Sequence, residues 1–234
     1  MQEIYPVADL ATPSFPLAVD LEGVHLSREG SVCILQILRV GSNRVWLIDV
    51  TTLGAKAFEE KDHRGISLRE VLESPKTQKL FFDVRNDSDA LYNLHGVLLQ
   101  NVYDLQVLEL AVRLSNGTQA RYVTGLRRAM ETYLDPPASW KKTKDEGKAI
   151  FDPAQGGSYE VFEKRPLDPR IVEYCAQDVT LLSHLRNAMR SRMGGVGSLW
   201  EERILKESRK RVEQAKLDDY APNGPKKILA PKRW

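Results

Sequence analysis

Four carboxylates and one phenol, spread over three distant segments, are the side chains of this sequence best suited to chemistry. Asp20 and Glu22 follow an apolar run near the start, Asp87 lies in FFDVRNDSDAL, and Tyr174 and Asp178 lie in VEYCAQDVTLL. Local patterns predict that each acid points inward, where a carboxylate is costly unless it is paired, neutralised or bound to a metal. The patterns predict no matching inward Lys or Arg, which indicates a bound cation. Oxygen ligands without a His or Cys cluster favour Mg²⁺ or Mn²⁺ over zinc.

The elements that must position these residues follow from the spacing of apolar residues. Leu17–Glu22 is predicted to be a strand, on which residues two apart share a face, so Asp20 and Glu22 point the same way. Asp178 falls in the apolar stripe of a helix, and Tyr174 lies one turn before it. The stripe consists of Ile171, Cys175, Leu182 and Leu185.

The second segment offers three acids, and helical phase selects one of them. In a helix that begins near Asn86, Asp87 shares a face with the apolar residues, whereas Asp89 is predicted to face solvent. Asp83 ends the preceding strand, where an acidic turn residue is common. Asp87 is therefore the predicted site residue. Asn86 either contacts substrate or caps the helix, and capping is favoured.

Taken in order, DLEG, KLFFDVRNDSDAL and the Tyr-x-x-x-Asp of RPLDPRIVEYCAQD resemble the three motifs of the DEDDy 3′–5′ exonucleases. This is the RNase D and Rrp6-like superfamily, and the first two motifs are most similar to its Egalitarian-like branch. The resemblance covers roughly residues 15–190. Each motif alone is common, but the ordered set is specific. The resemblance implies an α/β fold, with an RNase H-like mixed β-sheet flanked by helices and the acids gathered at one sheet edge.

The resemblance also implies roles for the site residues. Two divalent ions, Mg²⁺ or Mn²⁺, would be held by the acids. Asp20 would bridge both ions, Glu22 and Asp178 would hold the ion that carries the attacking water, and Asp87 would hold the second through water. Tyr174 would orient the water, since a phenol with a pKa of about 10 is a poor base at neutral pH.

The implied activity is hydrolysis of single-stranded nucleic acid from its 3′ end with release of 5′-mononucleotides, and RNA is favoured over DNA. The main alternative is a catalytically silent nucleic-acid-binding adaptor with the same fold. Loss of an acid would mark such a protein, and all four are present.

Arg165, before the third motif, either contacts a phosphate or pairs with an acid, and the pair is favoured. A thin apolar stripe at Trp200, Ile204 and Val212 would allow a protein partner or self-association through the C-terminal helix.

Composition and charge limit the classes of protein to which this sequence can belong. The 234 residues are 42% hydrophobic and 28% charged, with a formal net charge of +2. We expect no membrane span and no secretory signal, and two buried free thiols, Cys33 and Cys175, are typical of a reducing compartment. An intracellular protein of the cytoplasm or nucleus is therefore expected. Basic runs at 141–148 and 203–216 around an acidic centre suit an enzyme that acts on a polyanion, although solvated surface explains either run alone.

The chain is predicted to divide into an N-terminal arm (1–14), an exonuclease domain (15–195) and a basic C-terminal helix and tail (196–234). Three early strands followed by strand, helix, strand and helix predict an α/β domain with a mixed sheet. A helix over 119–134 is followed by a predicted loop over 135–164, which Pro and Gly residues interrupt. A loop of that length is typically functional or disordered.

Overall fold

A five-stranded mixed sheet with helices on both faces organises the protein. The computed structural model describes residues 7–10, 15–194 and 197–231. The strands are β1 Leu17–Glu22, β2 Ile34–Arg39, β3 Val45–Asp49, β4 Lys79–Phe81 and β5 Val102–Asp104. The α-helices are α1 Val7–Leu10, α2 Val50–Leu53, α3 Lys56–Glu59, α4 Leu68–Leu72, α5 Arg85–His95, α6 Leu105–Ser115, α7 Leu126–Tyr133, α8 Ala138–Phe151, α9 Pro169–Thr180, α10 Leu182–Ser191 and α11 Gly197–Glu213. Within the described ranges, no helix is long and apolar enough to cross a membrane.

The strand order of the sheet is β3-β2-β1-β4-β5, with β1 at the centre. β1 pairs antiparallel with β2 and parallel with β4, and β4 pairs parallel with β5. The parallel strands β1, β4 and β5 therefore end at the same edge of the sheet, where α5 and α6 begin directly after β4 and β5. This confirms the predicted α/β fold with a mixed sheet.

Alternate residues of β1 face opposite sides of the sheet, and they enter two different cores. Leu17, Val19 and Leu21 belong to the core that includes residues of α4 and α5. Ala18 belongs to the core that includes residues of α6 and α10. The even-numbered positions of β1 therefore face this second side of the sheet, and both acids of the strand lie at such positions.

The region 135–164, predicted to be a loop, contains the 14-residue helix α8 and two short 3₁₀ turns, Pro153–Gln155 and Tyr159–Phe162. The loop prediction was wrong because Pro137 does not interrupt a helix: it immediately precedes α8 in an extended conformation. Proline fits there because helix-start N–H groups have no partner within the helix. The helix predicted over 119–134 is also shorter than expected, since α7 begins only after Gly125.

Two segments near the ends of the described residues, α1 and α11, pack against the sheet domain. Val7 and Leu10 of α1 are buried in the first core, and the rest of the predicted arm, 1–6 and 11–14, lies outside the described residues. In α11, Ile204 and Val212 are buried in the two cores. The apolar stripe of the C-terminal helix, which would allow a protein partner, therefore packs against the rest of this chain. Arg211, next to Val212, pairs with the buried Asp104 at 2.8 Å.

The buried Lys79 on β4 predicts that the stability of the fold depends on pH. Its buried ammonium donates to the carbonyl of Ser74 at 2.7 Å, and burial lowers the pKa of Lys79 to about 7. In the unfolded chain the pKa of lysine is about 10.4. Between these values the unfolded chain binds the proton that the folded chain has released, so the free energy of unfolding rises with pH.

We therefore expect the free energy of unfolding of the wild type to rise relative to that of Lys79→Met, by up to about 1.4 kcal/mol per pH unit between about pH 7 and pH 10. Urea denaturation of both proteins at several pH values measures the difference. Only the slope is informative, because the substitution also removes a hydrogen bond at every pH. Parallel pH profiles would show that Lys79 titrates as it does in water.

Candidate active site

β1 brings the two acids of the first motif to one side of the sheet. Asp20 lies opposite Gln36 and Glu22 opposite Ile34 in the ladder between β1 and β2. Both acids are half-buried, although the strand around them is almost entirely buried. α9 packs across β1, β2 and β3 on this face. Asp20 and Glu22 therefore point together at one helix, as the strand periodicity predicts.

α9 presents the residues of the third motif to these acids. The helix begins at Pro169, and the side chain of Asp168 caps it by accepting from the backbone N–H of Arg170 at 2.9 Å. Asp178 lies on the buried side of the helix, and Tyr174 lies one turn earlier. The apolar part of that side, which includes Ile171, Cys175 and Val179, holds the helix against the sheet.

Three carboxylates converge between β1 and α9. One oxygen atom from each of Asp20, Glu22 and Asp178 lies within 4.8 Å of the other two. Asp178 is only 4% exposed, and its Oδ2 has no hydrogen-bond partner. A buried carboxylate oxygen without a partner is costly, and a hard divalent cation would satisfy it. The donor set of oxygens alone fits Mg²⁺ or Mn²⁺.

Asp87 lies beside this group, in the first turn of α5. It is 6% exposed, and its Oδ1 also has no hydrogen-bond partner. Burial, followed by the negative charges of Asp83 and Asp104, raises the pKa of Asp87 to about 7. Its charge in turn contributes to raising the pKa of Asp20. Asp87 is therefore near the three acids but is not a member of the group that could share one ion.

The acids raise one another's pKa values. Burial, and then the charges of Asp178, Asp87 and Glu22, raise the pKa of Asp20 well above its ordinary range. Burial and the charge of Asp178 do the same to the pKa of Glu22. Closely spaced carboxylates resist simultaneous ionisation unless positive charge is added. The cluster is thus unfavourable on its own and is suited to binding cations.

Tyr174 carries its hydroxyl into the same negative environment. Burial, and then the charges of Asp178, Glu22 and Asp20, raise the pKa of Tyr174 well above its ordinary value. The phenol therefore stays protonated at neutral pH, which suits a group that forms hydrogen bonds rather than one that removes protons.

Lys144 of α8 enters the acidic cluster, and this corrects the prediction that no inward cation accompanies the acids. Its ammonium donates to Asp178 Oδ1 and lies 3.7 Å from the centroid of the Tyr174 ring. Its charge opposes the burial-driven rise in the pKa values of Asp20, Glu22 and Asp178. The sequence prediction missed Lys144 because α8 was interpreted as a loop. Helical spacing of Trp140, Lys144, Gly147 and Phe151 was the available signal.

The remaining acids of the second motif have structural partners. Asp89, predicted to face solvent, is fully buried and pairs with Arg28 at 2.8 Å. That prediction was wrong because the partner comes from a loop 61 residues earlier, which helical phase cannot reveal. Asp83 pairs with Arg85 at 2.5 Å. Only Asp87 of the three has a buried carboxylate oxygen without a partner.

The two residues considered for nucleic-acid contacts lie outside the acidic cluster. Asn86 does not cap α5; its side-chain oxygen accepts from the hydroxyl of Tyr220 at 2.9 Å and from the ammonium of Lys227. Arg165 pairs with Asp49, donating from Nε to Oδ2 at 2.7 Å. Despite burial, hydrogen bonds from Arg165 and Thr52 lower the pKa of Asp49 to about 2. The favoured structural pair for Arg165 is thus confirmed, and capping by Asn86 is wrong.

The fold and the acidic cluster define a nuclease-like α/β domain. The chain belongs to the 3′–5′ exonuclease family, whose model matches residues 6–194.

A curated relative is similar in sequence, and solved structures share the fold. The human piRNA biogenesis protein EXD1 is 29% identical over 180 residues, which are 76% of this chain and 32% of that protein. This chain therefore spans about a third of that relative's length. RNase D of Trypanosoma brucei in complex with GMP superposes with a TM-score of 0.73 at 19% identity, covering 95% of this chain and 66% of that one. NrnC of Brucella melitensis with bound Mg²⁺ gives a TM-score of 0.62 at 19% identity, covering 87% and 84%.

Proposed function

We propose that this protein is a divalent-metal-dependent 3′–5′ exonuclease that releases 5′-mononucleotides from single-stranded nucleic acid. The convergence of oxygens from Asp20, Glu22 and Asp178 within 4.8 Å carries the proposal. Bringing three buried or half-buried carboxylates so close together is costly unless a cation joins them. Membership of the exonuclease family supports the same activity.

Each site residue has a role that suits its surroundings. When bound, two divalent ions supply an activated water and stabilise the charge that develops on the leaving oxygen. Asp20, Glu22 and Asp178 would hold one of these ions, and Asp87 beside them would help to hold the other. Tyr174, protonated at neutral pH, hydrogen-bonds the attacking water and orients it.

RNA is the substrate that we propose first. The T. brucei RNase D with the same fold is complexed with GMP, a ribonucleotide. In this chain α8, which enters the site through Lys144, also carries Lys148, whose side chain is 51% exposed. Exposed cations beside a buried acidic centre attract a phosphate backbone to the metal-binding residues.

A catalytically silent adaptor is the second candidate, and one observation favours it. The ammonium of Lys144 already contacts Asp178, so positive charge is present in the cluster without a metal. An adaptor that used Lys144 in this way would bind single-stranded RNA through its cationic surface and would not shorten it.

The test uses 5′-labelled single-stranded RNA and DNA of one sequence, incubated with pure protein and with Mg²⁺, Mn²⁺ or EDTA. We expect a ladder of products shortened from the 3′ end in either metal and none in EDTA. RNA with a 3′-phosphate should resist, because the pocket for the last nucleotide must accept a 3′-hydroxyl. A circular RNA of the same sequence should stay intact.

Two outcomes would contradict the proposal. Cleavage of the circular RNA would identify an endonuclease, because a circle has no 3′ end. Binding of the linear RNA without shortening in any metal would favour the adaptor. Equal shortening of RNA and DNA would support the proposed exonuclease activity and would contradict only the proposed preference for RNA.

A further inference from the structure

α8 packs directly on the catalytic side of α9, and one contact defines the distance between them. A Cβ atom placed on Gly147 would lie 2.4 Å from Cδ2 of Tyr174, so the absence of a side chain at this position permits the contact. The buried residues of α8 are Trp140, Lys144 and Gly147, which share one face of the helix. The helix therefore holds Lys144 at the carboxylates.

The ammonium of Lys144 is positioned by several groups at once. It donates to Asp178 Oδ1 and, at 3.4 Å, to the carbonyl oxygen of Tyr174. It lies 3.7 Å from the centroid of the Tyr174 ring and 5.9 Å from that of Trp140. The side chain is 8% exposed. Aromatic rings, a carbonyl and a carboxylate together form a built binding site for one positive charge.

This positive charge lies on a carboxylate that a divalent ion would share: Lys144 contacts Oδ1 of Asp178, and Oδ2 is left without a partner. Asp178 belongs to the group of three acids that could share an ion, and Lys144 contacts it. An ammonium and a divalent ion on the same carboxylate repel each other strongly in a site with little water. The four acids carry four negative charges, which two divalent ions neutralise completely without Lys144.

We propose that Lys144 is a tethered cation that pairs with Asp178 in the metal-free protein and competes with divalent ions for the acidic cluster. The proposal rests on the proposed function in so far as these acids are metal ligands. Lys144 neutralises part of the cluster until metal arrives, and its ammonium leaves Asp178 when the ion binds. Lys144 thereby sets the metal concentration that the protein requires.

The test measures the binding of Mn²⁺ alone, without nucleic acid, by isothermal titration calorimetry. Lys144→Met keeps the apolar stem between the rings and removes the charge, and Lys144→Gln keeps a hydrogen-bond donor. We expect both variants to bind Mn²⁺ with a dissociation constant lower by about tenfold or more. Lys142→Met is the matched control, because Lys142 lies on the same helix with its side chain 75% exposed. It should bind Mn²⁺ as the wild type does.

A second measurement covers the case in which one variant is less stable. In EDTA we expect thermal denaturation of Lys144→Met below that of the wild type, since the acids lose their neutralising partner. Added Mn²⁺ should raise its melting temperature by more than it raises that of the wild type or of Lys142→Met, because tighter binding to the folded state stabilises it more.

Unchanged or weaker Mn²⁺ affinity in both Lys144 variants would overturn the proposal, as would no Mn²⁺ binding by either. Such a result would be distinct from failure of the proposed function. That failure would appear as intact RNA in every metal, while the Mn²⁺ affinities of the variants could still differ as proposed.

Discussion

Asp20→Asn is expected to lower the rate of RNA shortening by about 10³-fold or more, because we propose Asp20 as a metal ligand and loss of such a ligand costs several kcal/mol of transition-state stabilisation. Asp20 lies on the central strand and is the acid whose pKa is raised by the charges of all three others, Asp178, Asp87 and Glu22. Asparagine keeps its shape and removes the charge. Single-turnover rates on 5′-labelled RNA, at saturating Mg²⁺, measure the effect. Glu22→Gln and Asp178→Asn should cause losses of the same kind.

The stability of these variants in EDTA tests whether Asp20 has a structural role, with Asp178 as the reference for an acid that has a buried partner. Asp20→Asn removes a like charge from a crowded cluster, so the free energy of unfolding should stay the same or rise. Asp178→Asn instead removes the partner of the buried Lys144 ammonium, and it should lower the free energy of unfolding by about 3 kcal/mol. Urea denaturation distinguishes the two. Equal destabilisation by both would mean that Asp20 supports the fold rather than binding metal.

The sequence was sufficient to predict those site residues whose position depends on a local repeat. Asp20 and Glu22 share a face because strands alternate, and Tyr174 precedes Asp178 by one helical turn. Burial of the strand and helix then follows from their apolar neighbours. These predictions needed only the period of each element, and the structure brings three of the four acids within 4.8 Å of one another.

Predictions failed where a partner comes from a distant part of the chain. Lys144 pairs with Asp178, which lies 34 residues later in the sequence. Asp89 pairs with Arg28, which lies 61 residues earlier. Asn86 is held by tail residues 134 and 141 positions away. A charged residue on a helix face looks the same in sequence whether its partner is water or a buried ion. Only the packing of α8 and of the tail decides between these possibilities.

The close packing of α8 also bears on the electrostatics of the site. A buried cluster of acids without counterions would oppose folding, because each carboxylate loses hydration and repels the others. Lys144 offsets part of this cost before metal binds. The position of Lys144 is therefore consistent with a protein that folds without metal. The positive charge of Lys144 also helps to explain how β1 and α9 can hold three acids so close together.

Tyr174→Phe is expected to lower kcat by about a hundredfold, since loss of one oriented hydrogen bond in a preorganised site commonly costs about 3 kcal/mol. The ring should keep its packing, with the edge contact to Phe151 at 5.1 Å and the contact to Lys144 at 3.7 Å. Burial and the nearby acids hold the pKa of Tyr174 well above its ordinary value, so the hydroxyl acts in its protonated form. Rates across a Mg²⁺ titration measure the effect.

The metal requirement distinguishes orientation of water from damage to the ligands. Because Tyr174→Phe keeps all four acids, the Mg²⁺ concentration for half-maximal rate should not change, and kcat alone should fall. Tyr159→Phe is the matched control, since Tyr159 packs against the same Phe151 ring at 6.0 Å and lies in the same apolar cluster. A Tyr174→Phe protein as fast as wild type would mean that Tyr174 only fills space between α8 and α9. A raised Mg²⁺ requirement with unchanged kcat would instead mean that the hydroxyl supports the Asp178 ligand.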